Sequence, residues 1–358
     1  MTLRLPLRPT GPAEIVLPCA DLPPTLAFFV DHLGFRVETI FPAEEPTVAS
    51  LSGHGLRLRL QPGSGDPGHI RLGCDDPGPA GERRFCAPNG TVVELVPTDP
   101  PLDLPDLVPS FVLTRRRDAP QMGEGRAGML YRDLIPDRQG GRFIASHIAI
   151  PEGGPVSDWV HFHKVHFQMI FCRTGWVKVV YEDQGEPFLL RAGDCVVQPP
   201  QIRHRVLEAS AGLEVVEIGC PALHETLADH DMTLPTGRTL PERLFDGQRF
   251  LRHVAADAPF VRLGDTGFEA CETGMAAATG GVADTRVLRP GTRTGMAFAP
   301  HDADLLFHFV LDGEVVLRRG GDHALEACDA FVIPAGEAFA LTDASAGLRL
   351  LQVRLPGR

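Results

Sequence analysis

The stretch VHFHKVHFQMIFCRTGWVKVVYEDQG, residues 160–185, decides the fold of the larger part of this chain. Three histidines occupy six positions, and an apolar segment with the alternating pattern of a β-strand follows them. Successive side chains of a strand point to opposite faces, so His161 and His163 project to the same side. The stretch therefore predicts a strand that carries two imidazoles into the interior of a β-sandwich or barrel.

Short strands of this kind recur along most of the chain. The sequence has 38 glycines and 33 prolines, which separate segments such as TVVELVP, RFIASHIAIP and LEVVEIG. That spacing is typical of many short strands joined by turns. One amphipathic helix is predicted at about Pro23–Leu33, with Gly34 as its C-terminal stop. We expect a mainly β protein.

An internal repeat divides the second half of the chain. Three pairs of segments match: a shift of 135 places 192–206 on 327–341 and 210–221 on 345–356, and a shift of 138 places 171–179 on 309–317. Matches at nearly constant spacing indicate two tandem β-modules.

The composition argues against some classes of partner. The chain has 358 residues and a formal net charge of -12, which repels nucleic-acid phosphates and anionic lipid surfaces. We expect a small-molecule substrate, with no nucleic-acid or membrane partner. The N-terminus lacks the apolar core of a secretory signal, and the eight cysteines form no C-x-x-C pair. Both features predict a cytoplasmic protein with free thiols.

A fourth histidine extends the imidazole group. His204 follows a proline turn in QPPQIRHRVLE, at the start of another predicted strand. Imidazoles that converge inside a barrel are costly to bury without a partner, and they suit a borderline divalent metal such as iron, nickel, copper, zinc or manganese.

These residues resemble the two motifs of the cupin superfamily, G-x5-H-x-H-x4-E-x6-G and G-x5-P-x-G-x2-H. The matching positions are Gly154, His161, His163, Gln168 and Gly175, then Gly193, Pro199 and His204, with one extra residue after Gly154 and with Gln201 in place of a glycine. The run HFHKVHFQ is also similar to the H-x-H-x-x-H-x-E arrangement of quercetinase-type dioxygenases. The resemblance covers about residues 141–358 and implies a bicupin, with tandem β-sandwich or jelly-roll barrels.

The resemblance also implies a metal site. Its ligands would be His161, His163 and His204, with Gln168 at the position of the motif's glutamate. A neutral amide is a weaker ligand and cannot act as a carboxylate base. Either Gln168 or His166 could be the fourth ligand, and both are candidate catalytic residues. The expected cofactor is one divalent transition metal, with iron(II) first and nickel, manganese, copper or zinc as alternatives.

The second module is predicted to be a degenerate, metal-free cupin. The repeat shifts place Ala299, His301, Leu306 and Phe339 at the positions of His161, His163, Gln168 and His204. Three of the four ligand types are thus replaced.

The N-terminal segments EIVLPCADLPPTLAFFVDHLGFRVETI, GHIRLGCDD and FCAPNGTVVELVP resemble the vicinal oxygen chelate superfamily, which includes glyoxalases. The resemblance implies an α+β domain of βαβββ modules with ligand positions at Glu14, His69 and Glu94. The chain between His69 and Glu94 is too short for a full second module, so we expect a reduced domain that is structural or covers the substrate. The predicted divisions are 1–100 for this domain, 101–140 for a linker and strand extension, 141–232 for the metal-binding cupin and 233–358 for the degenerate cupin.

The leading functional hypothesis is a dioxygenase that acts with O2 on a small aromatic or enolic metabolite. Arg203, Arg205 and Glu208 are candidate substrate-binding residues, although the arginines could equally face solvent. The alternatives are a non-catalytic small-molecule-binding cupin or sensor, and a metal-dependent isomerase or lyase. A homodimer is one assembly that the sequence allows.

Overall fold

The structure, a computed structural model, is built mostly from strands. It describes residues 11–79, 83–118, 121–125 and 128–357. Strands account for 46% of the chain and helices for 8%, which confirms the mainly β class. Within the described ranges, no helix has the length and apolar character needed to cross a bilayer. The stretch 1–10, where we predict no secretory signal, lies outside the described residues.

The chain divides into two compact units, Met1–Pro101 and Leu102–Arg358. The elements of the first unit are β1 (Ile15–Pro18), α1 (Leu22–Ala27), a π-helical segment (Phe28–His32), β2 (Arg36–Phe41), β3 (Val48–Gly53), β4 (Leu56–Gln61), β5 (His69–Cys74), β6 (Arg84–Cys86) and β7 (Val92–Pro97). The helix predicted at Pro23–Leu33 is present as α1 and the π-helical segment. Gly34 follows with φ +74°, a left-handed conformation that suits glycine at a helix end.

The described residues of this first unit form two sheets. Strands β1 to β4 have the order β1-β4-β3-β2, with β1 parallel to β4, so they form one β-α-β-β-β module with α1. The other sheet has the order β5-β7-β6 in the described residues, with β5 parallel to β7. In the described residues this second sheet has three strands, compared with four in the first. The likeness to glyoxalases stays a prediction.

The second unit contains two barrels. Its early strands are β8 (Val112–Thr114), β9 (Gly123–Glu124) and β10 (Leu130–Asp133). The first barrel continues with β11 (Ile144–Ile150), β12 (Gly154–Pro155), β13 (His161–His163), β14 (Phe167–Thr174), β15 (Trp176–Tyr181), β16 (Phe188–Arg191), β17 (Cys195–Val197), β18 (His204–Ala209), β19 (Leu213–Cys220) and β20 (Thr226–Ala228). Strands β21 (Leu244–Phe245), β22 (Gln248–Arg249) and β23 (Leu251–His253) follow.

The second barrel is built from the C-terminal part of the chain. Its elements are β24 (Val261–Arg262), β25 (Phe268–Glu272), α2 (Met275–Ala278), β26 (Asp284–Pro290), β27 (Met296–Phe298), β28 (Ala303–Asp312), β29 (Glu314–Arg318), β30 (Asp322–Glu326), β31 (Ala330–Val332), β32 (Phe339–Thr342) and β33 (Arg349–Pro356). In the described part of the chain, 3-10 turns at Arg116–Asp118, Arg138–Gly141 and Ala255–Asp257 lie between strands.

Each barrel is made from two sheets. The first has the orders β23-β17-β14-β19-β11-β10-β9 and β16-β15-β18-β13-β20, with β12 also paired to β18. The second has the orders β24-β25-β26-β33-β28-β31-β8 and β27-β32-β29-β30. The early strand β8 therefore joins the later barrel, and β23 extends the earlier one. These additions tie the region before residue 141 into both barrels.

Alternation along β14 separates the barrel interior from the interface between barrels. Gln168 and Ile170 line the cavity of the first barrel. Phe167, Met169 and Phe171 point the other way and are almost fully buried in a core shared with the second barrel. Burying a side chain of this size stabilises the fold by about 1.5–3 kcal/mol. Strand β14 therefore has apolar residues on both of its faces.

The internal repeat is present as matching turns. Gly175 has φ +73°, and a Cβ atom there would lie 2.3 Å from Ser210 Oγ. Gly313 in the second barrel has φ +78°, and its Cβ would lie 2.6 Å from Ser345 Oγ. Only glycine combines this conformation with so close an approach. The alignment of 171–179 with 309–317 therefore matches equivalent strand turns.

Candidate metal centre

The three histidines of the two motifs converge at one end of the first barrel. His161 and His204 lie opposite each other in the antiparallel pair β13 and β18, with ring centroids 4.2 Å apart. The His163 centroid lies 5.3 Å from that of His161 and 5.4 Å from that of His204. One ring nitrogen of each residue lies within 4.8 Å of the others, and all three side chains are buried.

Backbone carbonyls fix the tautomer of each imidazole. Nδ1 lies 2.8 Å from Trp159 O in His161 and 3.0 Å from Ile202 O in His204. In His163 it lies 3.1 Å from Glu225 O. A carbonyl oxygen can only accept, so each Nδ1 carries the proton and each Nε2 carries a lone pair.

This donor set fits a divalent transition metal. Three buried imidazole lone pairs that converge repel one another, whereas a cation between them is stabilised by all three. A hydrogen bond from the second ring nitrogen to a fixed acceptor is the usual support for a metal-ligating histidine. Asp158 also supports the His161 ring, because Asp158 Oδ1 lies 3.5 Å from His161 Nδ1 and the Asp158 side chain is fully buried.

Gln168 lies in the same cavity and contacts a carboxylate that the motifs did not identify. Its Nε2 donates to Glu217 Oε1 at 2.6 Å, and both side chains line the cavity with the three histidines. The sequence signal for Glu217 was its place in LEVVEIG, where it shares strand parity with Leu213 and Val215. A charged residue on the inward face of an apolar strand needs a buried polar partner.

The cavity behind the histidines is apolar and small, with a volume of about 110 Å³. Its walls are lined by Met129, Ile148, Ile150, Ile170, Val177, Val179, Leu190, Val206, Leu213 and Val215, with Tyr131 and Tyr181. Its polar side chains are those of the three histidines, Gln168, Gln198 and Glu217, together with the hydroxyl groups of the two tyrosines. The described lining contains no lysine or arginine, so the protein side chains offer no cation to a dianionic ligand.

Tyr181 and Gln198 are two further cavity residues that sequence reasoning missed. The Tyr181 ring stacks against His204, with centroids 5.6 Å apart and planes at 24°. Burial raises the pKa of the Tyr181 phenol, and the hydrogen bond with Gln198 opposes that rise only in part. The phenol therefore stays protonated and can donate a hydrogen bond near the imidazoles.

The structure places His166 away from this cavity. It lies between β13 and β14, in the turn that carries the chain from one sheet to the other. Its side chain lines a separate small cavity with Leu104, Arg142, Phe143 and Cys220, and its carbonyl accepts from Gln248 Nε2 at 2.7 Å. Of the two candidate fourth ligands, only Gln168 lines the cavity of the three histidines.

The predicted substrate-binding residues also lie outside the cavity lining. Arg203 Nε lies 3.1 Å from Asp229 Oδ2, and its guanidinium lies 3.9 Å from the Phe162 ring centroid. Arg205 alternates with the cavity residues His204 and Val206 and so faces away from them. Glu208 lies opposite Pro155 and Lys178 in the sheet. The strand alternation explains the outward position of both arginines.

The structure does not gather the three ligand positions predicted in the first unit. His69 Nε2 lies 3.5 Å from Glu94 Oε2, but Arg71 Nε also lies 3.2 Å from that oxygen. Glu14 lies 4.0 Å from Arg57 instead. Among the described residues, these three are not one of the groups whose ligand atoms lie within 4.8 Å of one another. The nearby guanidinium groups also oppose a cation there.

The second barrel holds aromatic side chains where the first has histidines. Phe298 lies opposite Phe339, and their rings stack with centroids 4.3 Å apart. The register thus makes Phe298, and not Ala299, the counterpart of His161. The alignment was wrong by one residue because a constant shift cannot account for the extra residue between β27 and β28. His301 Nε2 lies 3.1 Å from Ile333 O, and its Nδ1 accepts from the Ala303 amide.

A second group of metal-ligand side chains lies between the barrels but suits a different role. His147, Glu214 and Cys328 approach within 4.8 Å of one another. Arg173 Nη1 donates to Glu214 Oε2 at 2.6 Å, and Arg132 Nη2 lies 3.3 Å from His147 Nδ1. The hydrogen bond from His147 lowers the pKa of Glu214 to about 2. Two guanidinium groups make this cluster a polar link between barrels and not a cation site.

A wider pocket of about 420 Å³ adjoins the histidine end of the barrel cavity. The two share Tyr131, His163 and Glu217, and His224 and Thr226 add polar groups to the wider pocket. The His224 ring centroid lies 5.2 Å from that of His163. One of the three histidines thus borders both the barrel cavity and the wider pocket.

Comparison with solved structures identifies the fold of the larger part of the chain. The Ylba protein of E. coli matches with a TM-score of 0.53 at 12% identity, over 72% of this chain and 95% of that chain. Oxalate decarboxylase from Bacillus subtilis matches with a TM-score of 0.50 at 10% identity, over 72% and 79%. Salicylate 1,2-dioxygenase from Pseudaminobacter salicylatoxidans matches with a TM-score of 0.50 at 14% identity, over 71% and 86%.

These neighbours are cupin-family proteins. The paired barrels have the cupin fold. At 10–14% identity the similarity shows fold alone, and no family model or curated protein matches the sequence. The predicted tandem barrels agree with these matches. The neighbours include a decarboxylase and a dioxygenase, so the cupin fold of this chain is one that supports enzymes.

Proposed function

We propose that this protein is a metal-dependent cupin enzyme, a dioxygenase that uses iron(II) and O2 on a small enolic or aromatic molecule. The observation that carries the proposal is the convergence of His161, His163 and His204 at the polar end of an apolar cavity. When bound there, the divalent ion supplies Lewis-acid and redox chemistry and keeps its positive charge, because all three ligands are neutral.

The chain's own residues do the binding and positioning. The carbonyls at Trp159, Glu225 and Ile202 hold the three imidazoles in one tautomer. The apolar walls exclude water, which strengthens electrostatic interactions at the polar end. The protonated Tyr181 phenol next to His204 can donate a hydrogen bond to an oxygen atom of the substrate.

The cavity limits the substrate in size and charge. A dry protein cavity of about 150 Å³ holds benzene, so a volume of about 110 Å³ suits roughly five or six heavy atoms unless the walls move. The apolar walls favour a hydrocarbon body, and the lack of a lysine or arginine in the described lining disfavours a dicarboxylate. A small neutral molecule that ionises to an enolate fits both limits, whereas a phenol or catechol, with at least seven heavy atoms, enters only if the walls move.

Oxygen uptake by the metal-loaded protein tests this proposal. A panel of small enols, β-dicarbonyl compounds and catechols is incubated with the protein in air and under anaerobic conditions, and O2 and substrate loss are both followed. The proposal predicts loss of substrate with O2 in equal amounts, only in air, and none with His204→Ala. Substrate loss under anaerobic conditions would instead favour a metal-dependent isomerase or lyase. Binding of a compound without turnover would favour a non-catalytic sensor.

A further inference from the structure

The carboxylate that the cupin motif places on β14 is found one strand away. The motif has glutamate at position 168, where this chain has glutamine, and Glu217 on β19 accepts a hydrogen bond from that glutamine at 2.6 Å. Glu217 faces the barrel cavity together with the three histidines. The barrel therefore keeps an acidic group next to the motif position.

The register of the sheet sets this contact. Gln168 lies opposite Gly219, and Ile170 lies opposite Glu217, in the antiparallel pair β14 and β19. Gln168 and Glu217 are thus diagonal neighbours on one face, a distance that long side chains span. Gly219 presents no side chain opposite Gln168, so the amide can lean toward the carboxylate.

The hydrogen bond fixes which way the Gln168 amide points. The amide NH2 group donates to Glu217 Oε1, so it faces Glu217. The carbonyl oxygen Oε1 is then on the side of the amide away from Glu217. An amide without this partner could turn either way and present NH2, which cannot bind a metal, to the cavity.

The second barrel offers an internal comparison. The 135-residue shift places Gln352 at the position of Glu217, and Gln352 Nε2 lies 2.7 Å from His308 Nε2. In that barrel Leu306 replaces Gln168, and Phe298 and Phe339 stack where the first barrel has two histidines. The carboxylate on this strand accompanies the imidazole cluster in the first barrel and is replaced with it in the second.

We propose that Glu217 is a positioning residue of the metal centre, which holds Gln168 so that Oε1 faces the three imidazoles as a neutral fourth ligand. Glu217 also supplies, from outside the ligand set, the negative charge that the cupin motif carries at position 168. This inference rests on the proposed metal site. Outer-shell partners of this kind typically change metal affinity by about 10–100-fold.

The test uses cobalt(II), whose visible absorption reports its ligands, on the full chain in the absence of substrate. Glu217→Gln keeps the shape of the side chain but removes the charge. Gln168→Glu combined with Glu217→Gln moves the carboxylate to the motif position and keeps an amide partner beside it. Glu326→Gln removes the same charge from an exposed position of the second barrel and serves as the control.

We expect Glu217→Gln to bind cobalt(II) about tenfold or more weakly, with a changed visible spectrum and an unchanged melting temperature. The double variant Gln168→Glu/Glu217→Gln should recover wild-type affinity for cobalt(II) or exceed it. Glu326→Gln should match the wild-type protein in affinity and spectrum. Wild-type affinity and spectrum in Glu217→Gln would overturn the inference. If Glu217→Gln fails to fold, the double variant Gln168→Glu/Glu217→Gln provides the test. Weak cobalt(II) binding by that double variant, in a folded state, would contradict the positioning role of Glu217. Failure of the wild-type protein to bind metal would instead remove the proposed metal centre itself.

Discussion

His161 and His204 lie directly opposite each other across β13 and β18, and their rings approach to 4.2 Å between centroids. The two residues are 43 positions apart in the sequence, so only the pairing of these strands brings them together. The counterpart pair in the second barrel, Phe298 and Phe339, shows that the same backbone accepts apolar rings at this place.

The first prediction follows from that tolerance. His204→Phe should lower metal affinity by more than the roughly 10–100-fold typical of an outer-shell change, while the melting temperature stays near that of wild type. Metal content after dialysis and thermal unfolding check the two parts. The matched control is His301→Ala, in the second barrel, and this variant should retain the metal ion bound in the first barrel. Normal metal content in His204→Phe would mean that the ligand assignment is wrong.

The second prediction concerns stoichiometry. We expect about one transition-metal ion per chain, bound in the first barrel. Glu14→Ala and His69→Ala should leave this number unchanged, because Arg57 and Arg71 lie next to Glu14 and Glu94. Elemental analysis of the three proteins provides the measurement. Two ions per chain, with one lost in either variant, would contradict this account of the first unit.

The third prediction uses two neighbouring valines on β19. Val215 faces the barrel cavity, whereas Val216 is fully buried in the core between barrels. Val215→Phe should fill the cavity and abolish substrate binding with little loss of stability or metal. Val216→Phe should overpack a dense core and cost about 1–3 kcal/mol in unfolding free energy.

Substrate titration and urea unfolding of both variants test this difference. Full substrate binding by metal-loaded Val215→Phe would show that the substrate does not enter the cavity.

The fourth prediction is a loss of stability in acid that originates in the second barrel. His308 is fully buried, and burial lowers its pKa to about 3, with Arg286 and His301 adding to the effect. Below about pH 6.5 the imidazole of His308 is protonated in the unfolded chain, whereas in the folded protein it stays neutral down to about pH 3. Between these two pH values, His308 therefore lowers the free energy of unfolding by up to about 1.4 kcal/mol for each pH unit of acidification.

Replacing both His308 and its partner Gln352 by leucine removes this term, and it also removes the hydrogen bond that Arg286 Nε donates to Gln352 Oε1, which lowers stability at both pH values. Urea unfolding at about pH 7 and about pH 5 should show a smaller loss for His308→Leu/Gln352→Leu than for wild type. Equal losses in the two proteins would assign the acid sensitivity to other groups.

Local signals in the sequence predicted local features well. The helix at Pro23–Leu33 and its stop at Gly34 depend on a few adjacent residues. The motif spacing also placed His161, His163 and His204 in one site, because strand parity and a known fold fix the side on which each projects.

Other site residues could not be assigned from spacing. Strand parity places Glu217 on the face of Leu213 and Val215, but neither Glu217 nor Tyr181 belongs to a motif that predicts its contact with the site. His166 follows the same histidine run but lies in the turn between two sheets, which takes its ring out of the cavity. Arg203 and Arg205 flank a cavity histidine, so alternation turns them away from the site.

The sequence by itself determined the mainly β class, the repeat of two modules and the face on which each strand residue projects. The tertiary structure alone decided that Gln168 meets Glu217, that the cavity is small and apolar, and that Glu14 stays apart from His69 and Glu94. The physical reason is that side-chain direction follows from the period of the strand, whereas contacts between distant strands depend on register and packing across the whole sheet.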